Sequence, residues 1–288
     1  MISINKTHLY LAIVCLLFFN VGLYKVPYNN TADWSKPFPA FQIVGNVYYV
    51  GTYELSSYLI VTDNGNILIN TGMEGSLEMI KKNIADLGFR YCDIKMLLTT
   101  QAHYDHLGAM AAIKRETGAK FWADAAEADA LKSGATDHEL NRFGESFQPV
   151  VADSLLKDKS VIQLGNTKLV LLHHPGHTKG SCSYMFTVND KNRSYEVLIA
   201  NMPSIVADRN FSEALAYPNI ESDYAYTFRS MKQLKFDIWL ASHAAQFDLH
   251  KKHNPGDPYN PAAFIDRAGY TKSLDALEQR FLKKQKQQ

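Results

Sequence analysis

The stretch Gln101-Ala102-His103-Tyr104-Asp105-His106 follows the apolar run Met96-Leu97-Leu98-Thr99 and gathers three strong metal ligands and one weak one into six residues. On an extended segment, alternation sets Gln101, His103 and Asp105 on one side, and His106 follows where the chain turns. Four donors then point into one small volume, and their types and spacing favour zinc over a merely hydrogen-bonded loop.

Two other segments repeat the arrangement of an apolar strand running into a histidine-bearing loop. Leu169-Val170-Leu171-Leu172 leads to His173, His174 and His177, and Ile238-Trp239-Leu240-Ala241 leads to His243. Pro175-Gly176 force a turn that aims His177. Adjacent strand residues face opposite ways, so at most one of His173 and His174 can share a site with His177. His243 is the least specific of the set, because a lone histidine after a buried strand is as often a structural residue. His8, His138, His250 and His253 lie in the N-terminal leader, a polar excursion and a Lys-rich tail, and they read as non-ligands. Ligands at the ends of neighbouring strands are expected to converge at one sheet edge.

Around these loops the pattern alternates strands and helices. Val47 to Val50, Tyr58 to Val61 and Ile67 to Ile69 read as an antiparallel meander separated by Gly and Asp-Asn-Gly turns. Leu77, Ile80, Ile84 and Leu87 recur at helical spacing, with Ser76 as the N-cap and Gly88 as the stop, ahead of a buried strand from Ile94 to Thr99. A helix from Leu107 to Thr117 ending at Gly118 and a strand from Lys120 to Ala123 follow. Residues 132–159 are polar and weakly periodic, a long excursion suited to one wall of a pocket. Strands at Thr167 to Leu172, Ser183 to Val188 and Val197 to Ala200 come next, then a helical face of Tyr224, Phe228, Met231 and Leu234. The strand Ile238 to Ala241 and a Lys- and Gln-rich C-terminal helix complete the order, which fits one domain of two sheets covered by helices.

The balance of 30 basic and 29 acidic residues, net +1, leaves no basic stripe to track a phosphate backbone, so nucleic acid is excluded as a partner. Lys6 precedes an apolar run from Leu9 to Leu23, too short for a comfortable membrane span and suited to an export signal. Residues 1–24 are therefore expected to form a signal peptide or N-terminal anchor, and residues 25–288 the folded domain. Cys92 and Cys182 remain beyond that leader, either as one disulfide or as two buried thiols.

Gln101 to His106, the His174-Pro175-Gly176-His177-Thr178 segment and Ser242-His243 resemble, in type and order, the ligand motifs of the metallo-β-lactamase superfamily. Gln in place of the first motif histidine, together with Asn201-Met202-Pro203-Ser204, makes the chain most similar to the subclass B3 enzymes of the GOB type. The resemblance implies a four-layer αβ/βα sandwich and a periplasmic location. It also implies hydrolysis of penicillins, cephalosporins and carbapenems by metal-bound hydroxide, with a small-molecule β-lactam as substrate. No protein partner is implied by the sequence, and a monomer is the expectation. The resemblance assigns Gln101, His103 and His177 to one Zn²⁺ and Asp105, His106 and His243 to a second. Asp105 would also orient the nucleophile or relay a proton, and Ser204 would bind the substrate carboxylate.

Three protein ligands per metal leave a position open, as catalytic zinc requires. An amide oxygen is a poorer donor than imidazole, so the Gln101 site is expected to hold zinc more weakly. Asn201-Met202 stand where thioesterases and phosphodiesterases of the superfamily carry a bridging Asp, which argues against a glyoxalase-like or nuclease-like hydrolase. A lactonase of the same fold and a non-catalytic zinc-binding module of the envelope are the alternatives.

Overall fold

The first half of the chain builds a seven-stranded sheet. In the computed structural model, which describes residues 31–135, 146–205 and 210–287, a short helix α1 (Thr31–Trp34) precedes the meander. Strands β1 (Phe41–Val44), β2 (Val47–Tyr49), β3 (Tyr58–Thr62) and β4 (Gly65–Ile69) pair antiparallel in chain order. Helix α2 (Leu77–Asp86) then carries the chain to β5 (Ile94–Leu98), which lies parallel to β4. Helices α3 (Tyr104–Leu107) and α4 (Met110–Thr117) lead to β6 (Lys120–Asp124), and α5 (Ala128–Ser133) precedes the edge strand β7 (Ser154–Leu156), both strands again parallel.

The second sheet has the order β12-β11-β10-β9-β8. Strands β8 (Val161–Leu164), β9 (Thr167–His173), β10 (Cys182–Asp190) and β11 (Arg193–Ala200) are antiparallel neighbours. Helix α6 (Ile220–Lys232) crosses over to β12 (Ile238–Ala241), parallel to β11, and α7 (Leu249–Lys252) and α8 (Arg267–Gln285) follow. Both sheets are mixed. Among the described residues no helix is long and apolar enough to cross a membrane.

Side-chain alternation sorts the core into layers. Ile60, Ile67, Ile69, Met96 and Leu98 point toward Leu169, Leu171, Tyr184 and Phe186 of the second sheet. Their strand neighbours Leu59, Leu68 and Leu97 point the other way, onto Ile80 and Ile84 of α2 and Met110 and Ile113 of α4. On the far face Leu198 and Trp239 meet Tyr224, Phe228 and Met231 of α6 and Tyr270 and Phe281 of α8. Helix, sheet, sheet and helix are thus the four layers the resemblance implied. The run Met96 to Leu98 in β5 is buried on both faces, so truncating a core Leu or Ile in this strand costs about 2–5 kcal/mol.

Several expectations change in detail. Ser76 is at the N-cap of α2, but its hydroxyl caps nothing there and accepts instead from Met73 N at 3.1 Å. The helix expected from Leu107 to Thr117 is divided at Gly108-Ala109. A Cβ on Gly108 would lie 2.2–2.6 Å from backbone atoms of Met73 and Glu74, so the strand-end loop after β4 presses directly on this point. Strands β1 and β8 carry too short an apolar signal to stand out, and Leu234 falls past the end of α6. The excursion contributes β7, while residues 136–145 and the expected leader lie outside the described residues. Cys92 and Cys182 are unpaired; Cys182 is buried, whereas Cys92 is exposed.

Candidate metal centre

The three ligand loops leave different sheets. Residues 101–106 follow β5 of the first sheet, while His177 and His243 follow β9 and β12 of the second, so they meet across the open end of the sandwich and not along one sheet edge. Hydrogen bonds fasten that end. The Tyr184 hydroxyl donates to Thr99 O at 2.6 Å and Cys182 N to Thr100 O at 2.9 Å, joining β10 to the end of β5. The Tyr58 hydroxyl donates to Ala241 O at 2.6 Å, and Ser56 N to Ser242 O at 3.0 Å, joining the meander to β12.

Asn70 is the hub of this knot. It terminates β4 in the left-handed region, φ 59°, and its Oδ1 accepts from Thr100 N at 2.9 Å. Thr100 Oγ1 reaches Ser242 Oγ at 3.0 Å, and the Asn201 amide donates to Thr100 O at 3.0 Å. Four strand ends are linked through one buried threonine.

The backbone changes character in the middle of the ligand stretch. His103 is extended, with φ −115° and ψ 153°, but Tyr104–Leu107 is a helical turn. Asp105 therefore does not share an extended face with Gln101 and His103, as simple alternation expects. Instead the change separates the motif into two pairs, one carried by extended chain and one by α3. Thr71 N grips α3 by donating to His106 O at 2.8 Å, and Gly108 N donates to Gly72 O at 2.8 Å.

The first pair meets His177. Gln101 Nε2 donates to His103 Nδ1 at 2.9 Å, and His177 Nε2 lies 3.1 Å from the same nitrogen. His177 Nδ1 is 2.8 Å from the carbonyl of Ser204, which can only accept, so the proton sits on Nδ1 and the Nε2 lone pair faces His103. The Ser204 hydroxyl is 3.1 Å from the same Nδ1, so this residue orients His177 through two atoms. All three side chains are buried, which leaves them little rotamer freedom. Rotating the Gln101 amide by half a turn exchanges its nitrogen for the oxygen that a cation would take.

The second pair meets His243. Asp105 Oδ2 lies 3.3 Å from His243 Nε2 and 3.5 Å from His106 Nε2, and one ligand atom from each of the three residues falls within 4.8 Å of the others. Burial would raise Asp105, but the neighbouring His106, His243 and His103 outweigh it and hold the carboxyl well below the usual range. Burial pushes His106 down to about 4 despite Asp105. For His243 burial opposes the charge, yet Asp105 and Glu54 together raise it to about 9. Neither ring nitrogen of His106 has a hydrogen-bond partner among the described residues, although the residue is 1% exposed. An unsatisfied buried polar atom costs about 1–3 kcal/mol, and a cation shared with Asp105 and His243 would satisfy one of the two. The donor set, two imidazoles and a carboxylate, fits zinc.

Residues outside the motifs support these groups. Glu54 Oε1 lies 3.6 Å from His243 Nδ1, and Ala244 N donates to the Glu54 carbonyl at 2.8 Å. Trp34 of α1 packs 5.8 Å from the His243 ring and 5.9 Å from Tyr104. Neither contact has a local sequence signal. The competing histidines have other duties: His173 Nδ1 pairs with Asp124 at 2.7 Å, and His174 Nδ1 with the Ser183 hydroxyl at 2.8 Å. His250 stacks on Tyr53 and His253 on Phe41, both with ring centroids 3.7 Å apart. His8 and His138 lie outside the described residues. Asn201 and Met202 are buried, and no carboxylate occupies their segment.

Comparisons with known proteins identify the fold and the family. The family model for the metallo-beta-lactamase superfamily matches residues 51–187. The metallo-beta-lactamase GOB-18 from Elizabethkingia meningoseptica has a similar crystal structure, with TM-score 0.88 and 57% identity over 91% of this chain and 97% of that one. The class B3 di-zinc metallo-beta-lactamase LRA-12 from an Alaskan soil metagenome gives TM-score 0.86 and 57% identity over 89% and 98%. Curated relatives are more distant and partial: the hydroxyacylglutathione hydrolase GloC of Haemophilus influenzae is 28% identical over 47% of this chain and 63% of its own length. The chain belongs to the metallo-β-lactamase superfamily, within its subclass B3 branch.

Proposed function

We propose that this protein is a zinc-dependent β-lactamase that opens the β-lactam ring of penicillins, cephalosporins and carbapenems and so confers resistance to them. The observation that carries the reading is the convergence of six buried or half-buried donors in two groups of three, in a chain whose similarity to subclass B3 β-lactamases runs nearly end to end. Gln101, His103 and His177 would hold one zinc, and Asp105, His106 and His243 the other. Zinc, when bound, supplies a Lewis acid that polarises a carbonyl and lowers the pKa of water to about 7.

The chain's own residues do the rest. Ser204 fixes the tautomer and direction of His177, and Glu54 faces the outer nitrogen of His243, so both rings are aimed before a metal arrives. The Asp105 carboxylate, held ionised at neutral pH by the histidines around it, would ligate the second metal and orient an attacking water or relay its proton. Ser204, half-buried beside His177, is assigned to the substrate carboxylate. The Gln101 group binds zinc more weakly than the Asp105 group, because an amide oxygen replaces an imidazole nitrogen.

Hydrolysis of nitrocefin and imipenem, measured beside an acyl-homoserine lactone, tests the substrate class. A protein that cleaves the lactone and leaves both β-lactams intact is not a β-lactamase. Export to the periplasm is part of the proposal, carried by the apolar run Leu9 to Leu23. Recovery of the protein in the cytoplasmic fraction would refute that part.

A further inference from the structure

Glu127 is a buried carboxylate with no part in either ligand group. It follows β6, is 2% exposed, and lies between the two loops that supply Gln101, His103 and His177. Its Oε1 accepts from Ala102 N at 3.3 Å, the amide between Gln101 and His103. The same oxygen accepts a short hydrogen bond from Thr178 Oγ1, the residue directly after His177. One carboxylate oxygen thus holds both ligand loops.

The loop after His177 is built to meet it. Ser181 Oγ accepts from Thr178 N at 2.9 Å and lies 2.8 Å from Thr178 Oγ1. Since the Thr178 hydroxyl proton goes to Glu127, the Ser181 proton goes to Thr178 Oγ1, and the turn closes on itself with every hydroxyl directed. Gly180 completes the fit, because a Cβ there would lie 2.5 Å from Glu127 Cγ and 2.9 Å from Glu127 N. No side chain could separate the turn from the carboxylate.

We propose that Glu127 is the positioning residue of the Gln101/His103/His177 group, setting the distance between its two loops and hence its affinity for zinc. The proposal rests on the two-group zinc reading above. Burying a carboxylate is expensive, and one that ties two backbone segments of different sheets is better suited to fixing geometry than to adding net stability. The Asp105/His106/His243 group makes no contact with Glu127 through these bonds, so its affinity should not follow.

The test is a zinc titration of the full chain against a chromophoric chelator, reporting the affinity of each of two sites, with urea unfolding of the zinc-free protein alongside. Glu127→Met and Thr178→Val, which break the bridge from either end, should weaken the weaker site about 10- to 100-fold, the usual effect of losing a group that orients a ligand. The tighter site should be unchanged. Glu127→Gln and Thr178→Ser, which keep an acceptor and a hydroxyl, should retain most of the affinity. Loss of stability with both sites unchanged, or an equal fall at both, would overturn the proposal and leave Glu127 a structural residue. A wild-type chain that takes up one zinc, with an affinity that Gln101→Ala does not alter, would instead overturn the two-group reading itself.

Discussion

Replacing Asn70 by alanine removes the side-chain bonds that join the end of β4 to the end of β5, and its cost can be worked from two separate losses. The first is hydrogen bonding: Thr100 N, which donates to Asn70 Oδ1 at 2.9 Å and belongs to a residue with no exposed surface, keeps no other partner for that bond. A buried donor left unsatisfied costs about 1–3 kcal/mol. The second is torsional, because Asn70 sits at φ 59° and alanine pays about 1–2 kcal/mol there. Together Asn70→Ala should lose about 2–5 kcal/mol, or roughly 4–20 °C in a chain of this size. Asn70→Gly suffers the first loss without the second, so it should be the more stable of the two by about 1 kcal/mol. Urea denaturation of wild type and both variants gives the comparison. An alanine variant as stable as wild type, or a glycine variant less stable than the alanine one, would refute the argument that side-chain bonds and left-handed backbone act together at this position.

Gly108→Ala should destabilise more than Gly88→Ala: the first meets backbone at 2.2 Å, while the second has positive φ but open space around it. Thermal unfolding of the pair orders them, and the reverse order would remove the packing explanation for the break between α3 and α4. Gln101→His should tighten zinc at the first group by about tenfold or more as imidazole replaces amide oxygen; a chelator titration that shows no gain would mean the Gln101 side chain is not a ligand. His174 is held neutral by burial, which pushes it down to about 3. Its unfolded form takes up a proton near pH 6.5 while the folded form does not, so stability present above pH 6.5 is lost as pH falls toward 3, by up to about 1.4 kcal/mol per pH unit. Urea midpoints between pH 7 and 5 should fall more steeply for wild type than for His174→Gln, and parallel slopes would show that His174 does not titrate on unfolding.

Much of this protein was legible because its chemistry is local. Gln101 to His106 carries four donors in a single stretch, and Pro175-Gly176 announces the turn that aims His177, so candidate ligands could be picked from residue types, and the family resemblance sorted them into two groups. The strands with continuous or alternating apolar runs, Ile94 to Leu98 and Thr167 to His173 among them, were equally plain. What stayed hidden depends on approach between distant segments. The division of the motif into two pairs was given by the family resemblance alone; the helical turn at Tyr104 that produces it is something nothing in the residue spacing required. The interruption at Gly108 reflects backbone from Met73, and the carboxylates of Glu54 and Glu127 reach their histidine-bearing loops across long sequence separations. Periodicity reports which face of an element is buried; it does not report which loop will lie beside which.

Whether two groups of three side chains hold zinc for β-lactam hydrolysis is decided by the rate of imipenem hydrolysis by purified protein before and after complete metal removal with EDTA. Activity should disappear with the metal and return on adding zinc, with most of the second zinc equivalent's occupancy lost in Gln101→Ala and not in wild type. Hydrolysis that persists in fully metal-free protein, or a zinc-loaded protein that leaves imipenem intact, would contradict the zinc-dependent β-lactamase reading.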